Sequence, residues 1–253
     1  MDELSIYRNK KETFMLGKFE IHNPTLDEIS DESKLGEKQF WVIVSDIIST
    51  PYDRRLYLWS KGIDFNSVDS FDLFCDIVEN HLLTDVSFII RNIDFGKMKR
   101  YIDTNSGDII LFDVYNNIQI GKADYELLTE YFRKMLNIAD NNIKDGNEHT
   151  RKWRLQYELD KLERQLARGE YQEKEFRSIL LPYISTLTNI EGFKYNWDTV
   201  WSLPINVFYD CLLRNQIINQ AQKLTTGLYS GTFYYKDIKN CLLYTSPSPR
   251  DCS

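Results

Sequence analysis

The chain has 253 residues, 42% of them hydrophobic, and a formal net charge of -7; that length buries a substantial core without disulfides or metals, and that charge repels nucleic acid on average. Setting aside residues 241–253 leaves Cys75 and Cys211, each inside an apolar helical pattern, which indicates buried thiols in a reducing compartment rather than a secreted disulfide framework. The opening MDELSIYRNKKETF lacks a signal-peptide apolar region, and the longest apolar stretch, residues 40–48, is interrupted by Ser45 and Asp46, so neither export nor a membrane span is expected.

Residues 14–24 alternate in part (Phe14, Leu16, then Phe19, Ile21), which predicts a strand or hairpin ended by Asn23 and Pro24. Thr25 with Glu28 three positions on has capping-box spacing and opens a polar helix. Residues 37–49 predict a buried helix broken at Thr50 and Pro51. Pro51 is expected as the first residue of the next helix, which carries Leu56, Leu58 and Trp59 and is closed by Gly62. Asp69 or Ser70 caps another, with Phe71, Phe74, Cys75 and Val78 at i, i+3, i+4, i+7.

From residue 99 to 120, the runs RYID, DIILFD and IQI are separated by TNSG and VYNN, and a three-stranded meander follows from that alternation of extended and turn chemistry. After Gly121, Asp124 is expected to cap a helix whose stripe is Leu127, Leu128, Tyr131, Phe132, Met135 and Leu136. The polar stretch DNNIKDGNE reads as a linker. Beyond it, Leu155, Leu159, Leu162 and Leu166 recur like a short coiled-coil stripe, with Asp160 and Arg164 paired outside. Gly169 ends that helix; residues 173–190 predict a second, kinked at Pro182 and paired with the first as an antiparallel hairpin. A last helix over residues 204–225 is expected to bury Val207, Phe208, Cys211, Leu212 and Ile218. The fold class is therefore α+β, mainly helical: a small N-terminal β element and a central three-stranded meander packed with helices, then a C-terminal helical bundle-like part. The division falls between an N-terminal portion, residues 1–140, and a C-terminal portion, residues 150–240.

Gly17-Lys18, Gly96-Lys97 and Gly121-Lys122 each lack the second glycine that a phosphate loop needs. His22, His81 and His149 are scattered. Asp145, Glu148 and His149 come nearest to a metal-ligand set, but they sit in the Gly/Asn-rich linker, where a solvated loop is the plainer reading. Asp103, Asp108 and Asp113 flank the meander turns, and turn preference accounts for them. With no G-x-S-x-G, H-E-x-x-H or C-x-x-C present, no catalytic, cofactor-binding or metal-binding residue is assigned, and a non-enzymatic protein without a cofactor is expected.

Two groups remain as candidate partner-binding residues. Between 151 and 168, six basic residues face three acidic ones, and Arg151, Lys152, Trp153, Arg154 and Tyr157 would dock an acidic helical partner or stack on and neutralise single-stranded nucleic acid. A solvated amphipathic face competes with both readings, and nucleic acid is the less expected partner. Trp197 and Trp201, beside Phe193 and Tyr195, are either core anchors or, if two rings are exposed together, a recognition surface.

Residues 241–251, CLLYTSPSPRD, resemble translated sequencing adapter, back-translating without interruption into a transposase end and read primer. Residues 241–253 are accordingly left out of the fold expectations, with native sequence expected to about Asn240. The stretch from residue 180 to 231, LLPYISTLTNIEGFKYNWDTVWSLPINVFYDCLLRNQIINQAQKLTTGLYSG, resembles the C-terminal part of a family of bacteriophage tail-morphogenesis proteins. The pieces FEIHNPTLDEI, STPYDRRLYLWSKGIDF and YIDTNSGDIILFD extend the resemblance over most of residues 14–240. It carries over no active residue. It implies a tail assembly chaperone-like interaction protein in the cytoplasm of the bacterial host, binding the tape measure, tail tube or baseplate. The alternatives are a virion baseplate or tail-completion subunit, and a nucleic-acid-binding regulator that uses the 151–168 helix.

Overall fold

The alternation at the start of the chain closes as a tight hairpin in a computed structural model that describes residues 13–80, 86–104, 107–138, 147–168 and 176–231. Strands β1 (Phe14–Leu16) and β2 (Phe19–Ile21) pair antiparallel, with Leu16 opposite Phe19. Gly17 sits between them at φ +58, and a Cβ there would lie 2.9 Å from the Leu127 side chain, so both the turn and a close approach require glycine. Lys18 reaches across to Asp124 Oδ2 (2.8 Å) and the Gln119 carbonyl (2.9 Å), tying the hairpin to the meander and the helix behind it.

Helix α1 (Leu26–Ser30) begins with the predicted capping box: Glu28 N–H donates to Thr25 Oγ1, and Thr25 N–H to Glu28 Oε2. Helix α2 (Glu37–Ile48) buries Phe40, Ile43, Val44 and Ile47. The next helix differs from expectation. Thr50 and Asp53 exchange hydrogen bonds (Thr50 N–H to Asp53 Oδ2, Asp53 N–H to Thr50 Oγ1) and close a separate turn that contains Pro51. Regular helix α3 (Arg55–Ser60) starts only after Arg54, whose backbone leaves helical geometry at ψ 19 while its guanidinium pairs with buried Asp46. Gly62, at φ +73, closes α3 together with an Ile63 N–H to Leu58 carbonyl bond of 2.9 Å, a Schellman-type ending. Helix α4 (Ser70–Glu79) takes Asp69 as its cap and buries Phe71, Phe74, Cys75 and Val78.

The meander forms as predicted, with β3 (Lys99–Ile102), β4 (Ile109–Asp113) and β5 (Ile118–Ile120) antiparallel in that order. Asp113 ends β4 and accepts from Tyr115 N–H, Asn116 N–H and Asn116 Nδ2, an arrangement that shapes the loop ending at Asn117 in left-handed geometry. Helix α5 (Lys122–Met135) buries Leu128, Tyr131, Phe132 and Met135, with Leu136 buried beyond its end and Leu127 half-buried. Asp124 is not its cap residue. Gly121 holds that position, and Asp124, three residues on, accepts the Gly121 N–H at 3.1 Å, which leaves its second role, pairing with Lys18, compatible with the first.

Helix α6 (Glu148–Ala167) packs on α3 rather than on the helix that follows it, as the hairpin expectation would require. Its Leu155 is buried, and Glu158 lies 3.1 Å from Arg55 of α3. Residues 139–146, 169–175 and 232–253, with the side chains of Leu162 and Leu166, lie outside the described residues, and with them most of the expected linker over 140–148; its last residue, Glu148, and the neighbouring His149 belong to α6 instead of a loop. Helix α7 (Leu180–Thr188) begins well after residue 173, with residues 176–178 non-helical. The reason is Pro182. At the third helical position its missing N–H has no intrahelical partner to lose, whereas in mid-helix it would cost a bond and a clash. The α7 start is held instead by Glu37 of α2, whose Oε1 accepts from Ile179 N–H (2.7 Å) and Leu180 N–H (2.8 Å). Helix α8 (Ile205–Tyr229) buries Ile205, Asn206, Phe208 and Leu212. Val207 and Cys211 are half-buried and Ile218 is 54% exposed, so the expected burial stops at the second turn. The buried side chains form one hydrophobic cluster running from Leu16 to Leu212. The architecture is mixed α+β, with a small N-terminal hairpin, a central sheet packed among helices and a helix-rich C-terminal region. No helix among the described residues is long and apolar enough to cross a membrane.

Removing the Glu37 carboxylate strands two N–H groups at the α7 start, so Glu37→Ala is expected to lower unfolding free energy by about 1–2 kcal/mol, read from urea midpoints. Acidification acts in the same sense. Burial opposes ionisation of Asp69, Asp76 and Asp113, yet hydrogen bonds from Lys122, from Tyr57 and Lys61, and from Asn116 respectively hold each carboxyl below its ordinary value. Such groups stabilise the fold above their unfolded pKa and lose that contribution as pH falls through the folded one. Asp46 has the opposite sign: burial lifts its carboxyl despite Arg54, so its contribution is present below the unfolded value and fades as pH rises. Glu28, Asp31 and Glu130 are lowered as well, so the lowered carboxyls outweigh Asp46, and the urea midpoint is expected to drop between about pH 5 and about pH 3.

Candidate partner-binding surfaces

The contacts that dock α6 decide which of its faces meets solvent. Leu155 packs into the core, Glu158 turns toward Arg55, and the Arg55 guanidinium lies 4.8 Å from the centroid of the Tyr52 ring. The opposite face therefore points outward. Trp153 and Tyr157, one turn apart, are 65% and 56% exposed, and their rings stack at 5.7 Å with planes 12° apart. Lys152, Arg154, Lys161, Arg164 and Arg168 are exposed, as is the acidic Glu163. Asp160 is half-buried and accepts from Gln156 Nε2 at 2.8 Å. The side chain of Arg151, a predicted site residue, lies outside the described residues.

Trp197 and Trp201 approach to 6.3 Å between centroids, with planes 41° apart. They are placed by a turn in which Asn196 Oδ1 accepts from Asp198 N–H, Thr199 N–H and Thr199 Oγ1, leading into a 3₁₀ turn over Val200–Ser202. Trp201 is half-buried against the core, as are Phe193 and Tyr195. Trp197 alone of the four is exposed, at 43%. The cluster thus serves mainly as packing around the α8 start.

Sequence patterning missed two further surfaces. Ile179, Leu181 and Tyr183 are exposed at the α7 start; their direction depends on where Pro182 lets the helix begin, which no periodicity signals. Beyond Leu212, no residue of α8 is buried, and Leu213, Ile217, Leu224 and Leu228 are half-buried at helical spacing. Of the residues beyond Leu212 the sequence expectation named only Ile218, and placed it in the core, whereas it is exposed.

Groups with chemical potential are absorbed by structure. Burial pushes the Cys75 thiol up to about 12 and raises Cys211 as well, the opposite of nucleophile activation. His22 is buried with Nε2 3.3 Å from Glu28 Oε2, itself part of the α1 capping box. Tyr57, Lys61 and Asp76 satisfy one another between α3 and α4: Tyr57 Oη donates to Asp76 Oδ2 at 2.8 Å, and Lys61 Nζ lies 2.5 Å from Tyr57 Oη. Among the described residues no group of three His, Cys, Asp or Glu side chains is placed to hold a metal ion. No family model, curated protein or solved structure matches the chain.

The two aromatic pairs should separate in mutagenesis. Trp153→Ala with Tyr157→Ala is expected to change unfolding free energy by less than about 0.5 kcal/mol, as at other exposed sites. Trp201→Ala should cost about 1–3 kcal/mol through lost packing. Urea denaturation of both variants gives the comparison.

Proposed function

We propose that the protein is a non-catalytic interaction protein of bacteriophage tail morphogenesis, binding a tape-measure, tail-tube or baseplate component in the host cytoplasm through its C-terminal helices. The observation that carries this reading is the distal half of α8. A helix of 25 residues that buries side chains only up to Leu212, yet continues with Leu213, Ile217, Leu224 and Leu228 on one side, has the make-up of an element that lays an apolar stripe into a partner's groove. The same segment lies within the stretch that resembles tail-morphogenesis proteins. A holding role suits the chain's composition too, since net negative charge keeps a chaperone-like protein soluble while it shields an apolar helix.

Co-expression with the tape-measure, tail-tube and baseplate proteins of the same phage, followed by size-exclusion chromatography, tests the reading. A stable complex with one of them is expected, lost in the Ile217→Glu, Leu224→Glu double variant while unfolding free energy changes by less than about 1 kcal/mol. Absence of a complex with all three would refute it. Mass spectrometry of purified particles should find the protein missing from finished virions.

A further inference from the structure

We infer that the outward face of α6 is a binding surface for single-stranded nucleic acid, an activity that stands independently of the tail-morphogenesis reading. Taken over residues 151–168 the sequence mixes signs, but the fold sorts them. Among the described side chains of residues 151–168, Glu158 is turned to Arg55, Asp160 is half-buried and Glu163 is exposed, while Lys152, Arg154, Lys161, Arg164 and Arg168 all reach the surface. Trp153, Tyr157, Lys161, Arg164 and Arg168 follow one another at spacings of three or four residues, so they form one stripe. The stripe begins with two nearly parallel rings and continues with a cation at each following turn, about 5.4 Å apart along the axis.

That order suits a strand whose bases stack on an exposed π-face while its successive phosphates meet lysine and arginine. A paired duplex keeps its bases inside and offers the rings nothing to stack on. An acidic helical protein would need an aliphatic seam between its charges, and at the exposed positions of the stripe the large apolar side chains are the two rings. Charge complementarity and ring exposure together thus select single-stranded nucleic acid.

The test uses the full chain and three probes: a fluorescein-labelled oligothymidylate of about 15 nucleotides, the same length as duplex, and polyglutamate. Anisotropy should show oligothymidylate binding at about 50 mM salt, with a log–log salt slope of about -2 to -3, the value for three or four neutralised phosphates on a single strand. Trp153→Ala with Tyr157→Ala should weaken it about tenfold or more. Lys161→Gln with Arg164→Gln, which removes two phosphate contacts, should flatten the slope by about 1.4. No binding at about 50 mM salt overturns the inference. Duplex bound as tightly, with the ring variant unaffected, overturns it as well, and polyglutamate bound as tightly as the oligonucleotide would reassign the face to an acidic polypeptide.

Discussion

Leu26 N–H donates to the Leu203 carbonyl and Ile205 N–H to the Pro24 carbonyl, both at 2.9 Å, which places Thr25 opposite Pro204 in an isolated antiparallel bridge. The two bonds fall on either side of the Thr25–Pro204 pair, so the N–H that Pro204 lacks is one the bridge does not use. Helices α1 and α8 both start from this point, capped at Thr25 and Pro204. Two hydrogen bonds at about 1 kcal/mol each do not hold together segments so distant in sequence. Leu26, Leu203 and Ile205 are all buried beside them, and each contributes about 1.5–3 kcal/mol. Burial therefore supplies the free energy, and the bridge supplies the register in which α8 enters the core.

Long side chains join other elements where backbone cannot reach. Glu37 holds the α7 start, Arg55 holds α6 through Glu158, and Arg133 of α5 donates to the Ile48 carbonyl at the end of α2 at 2.9 Å. Each joins a helix end or flank to an element that follows or precedes it by many residues, and each sits at a half-buried position, where an ion or an ion–dipole bond is worth more than on the open surface. Asp46 and Arg54 show the limit of this device. Burial raises the Asp46 carboxyl despite its partner, so the pair secures geometry more than free energy: losing Arg54 alone would strand a buried charge, whereas replacing both by apolar groups need not destabilise.

What the sequence makes readable is what is decided locally. The Thr25–Glu28 box, the α4 stripe, the Gly62 ending and the meander all depend on residues within one or two turns of each other, and each forms where patterning places it. The α3 start does not, because the Thr50–Asp53 exchange competes with helix propagation from Pro51. The α7 start does not, because Glu37 lies far away in sequence and decides the matter with Pro182. Ile218 belongs to a stripe that periodicity assigns to the core, yet the core ends at Leu212. For the candidate surfaces the residue types at Trp153, Tyr157 and Trp197 were readable, but their exposure was not, since only the docking of α6 on α3 and the packing of Trp201 determine it.

The net charge of the chain says little about what one face attracts. Screening confines a surface charge to roughly 8 Å at physiological salt, while α6, with 20 residues, extends about 30 Å. A ligand lying along its outer side feels the nearest few side chains and not the -7 of the whole molecule. The 3.6-residue period and the Arg55 contact turn Glu158 toward the body and place Trp153, Tyr157, Lys161 and Arg164 on the solvent side.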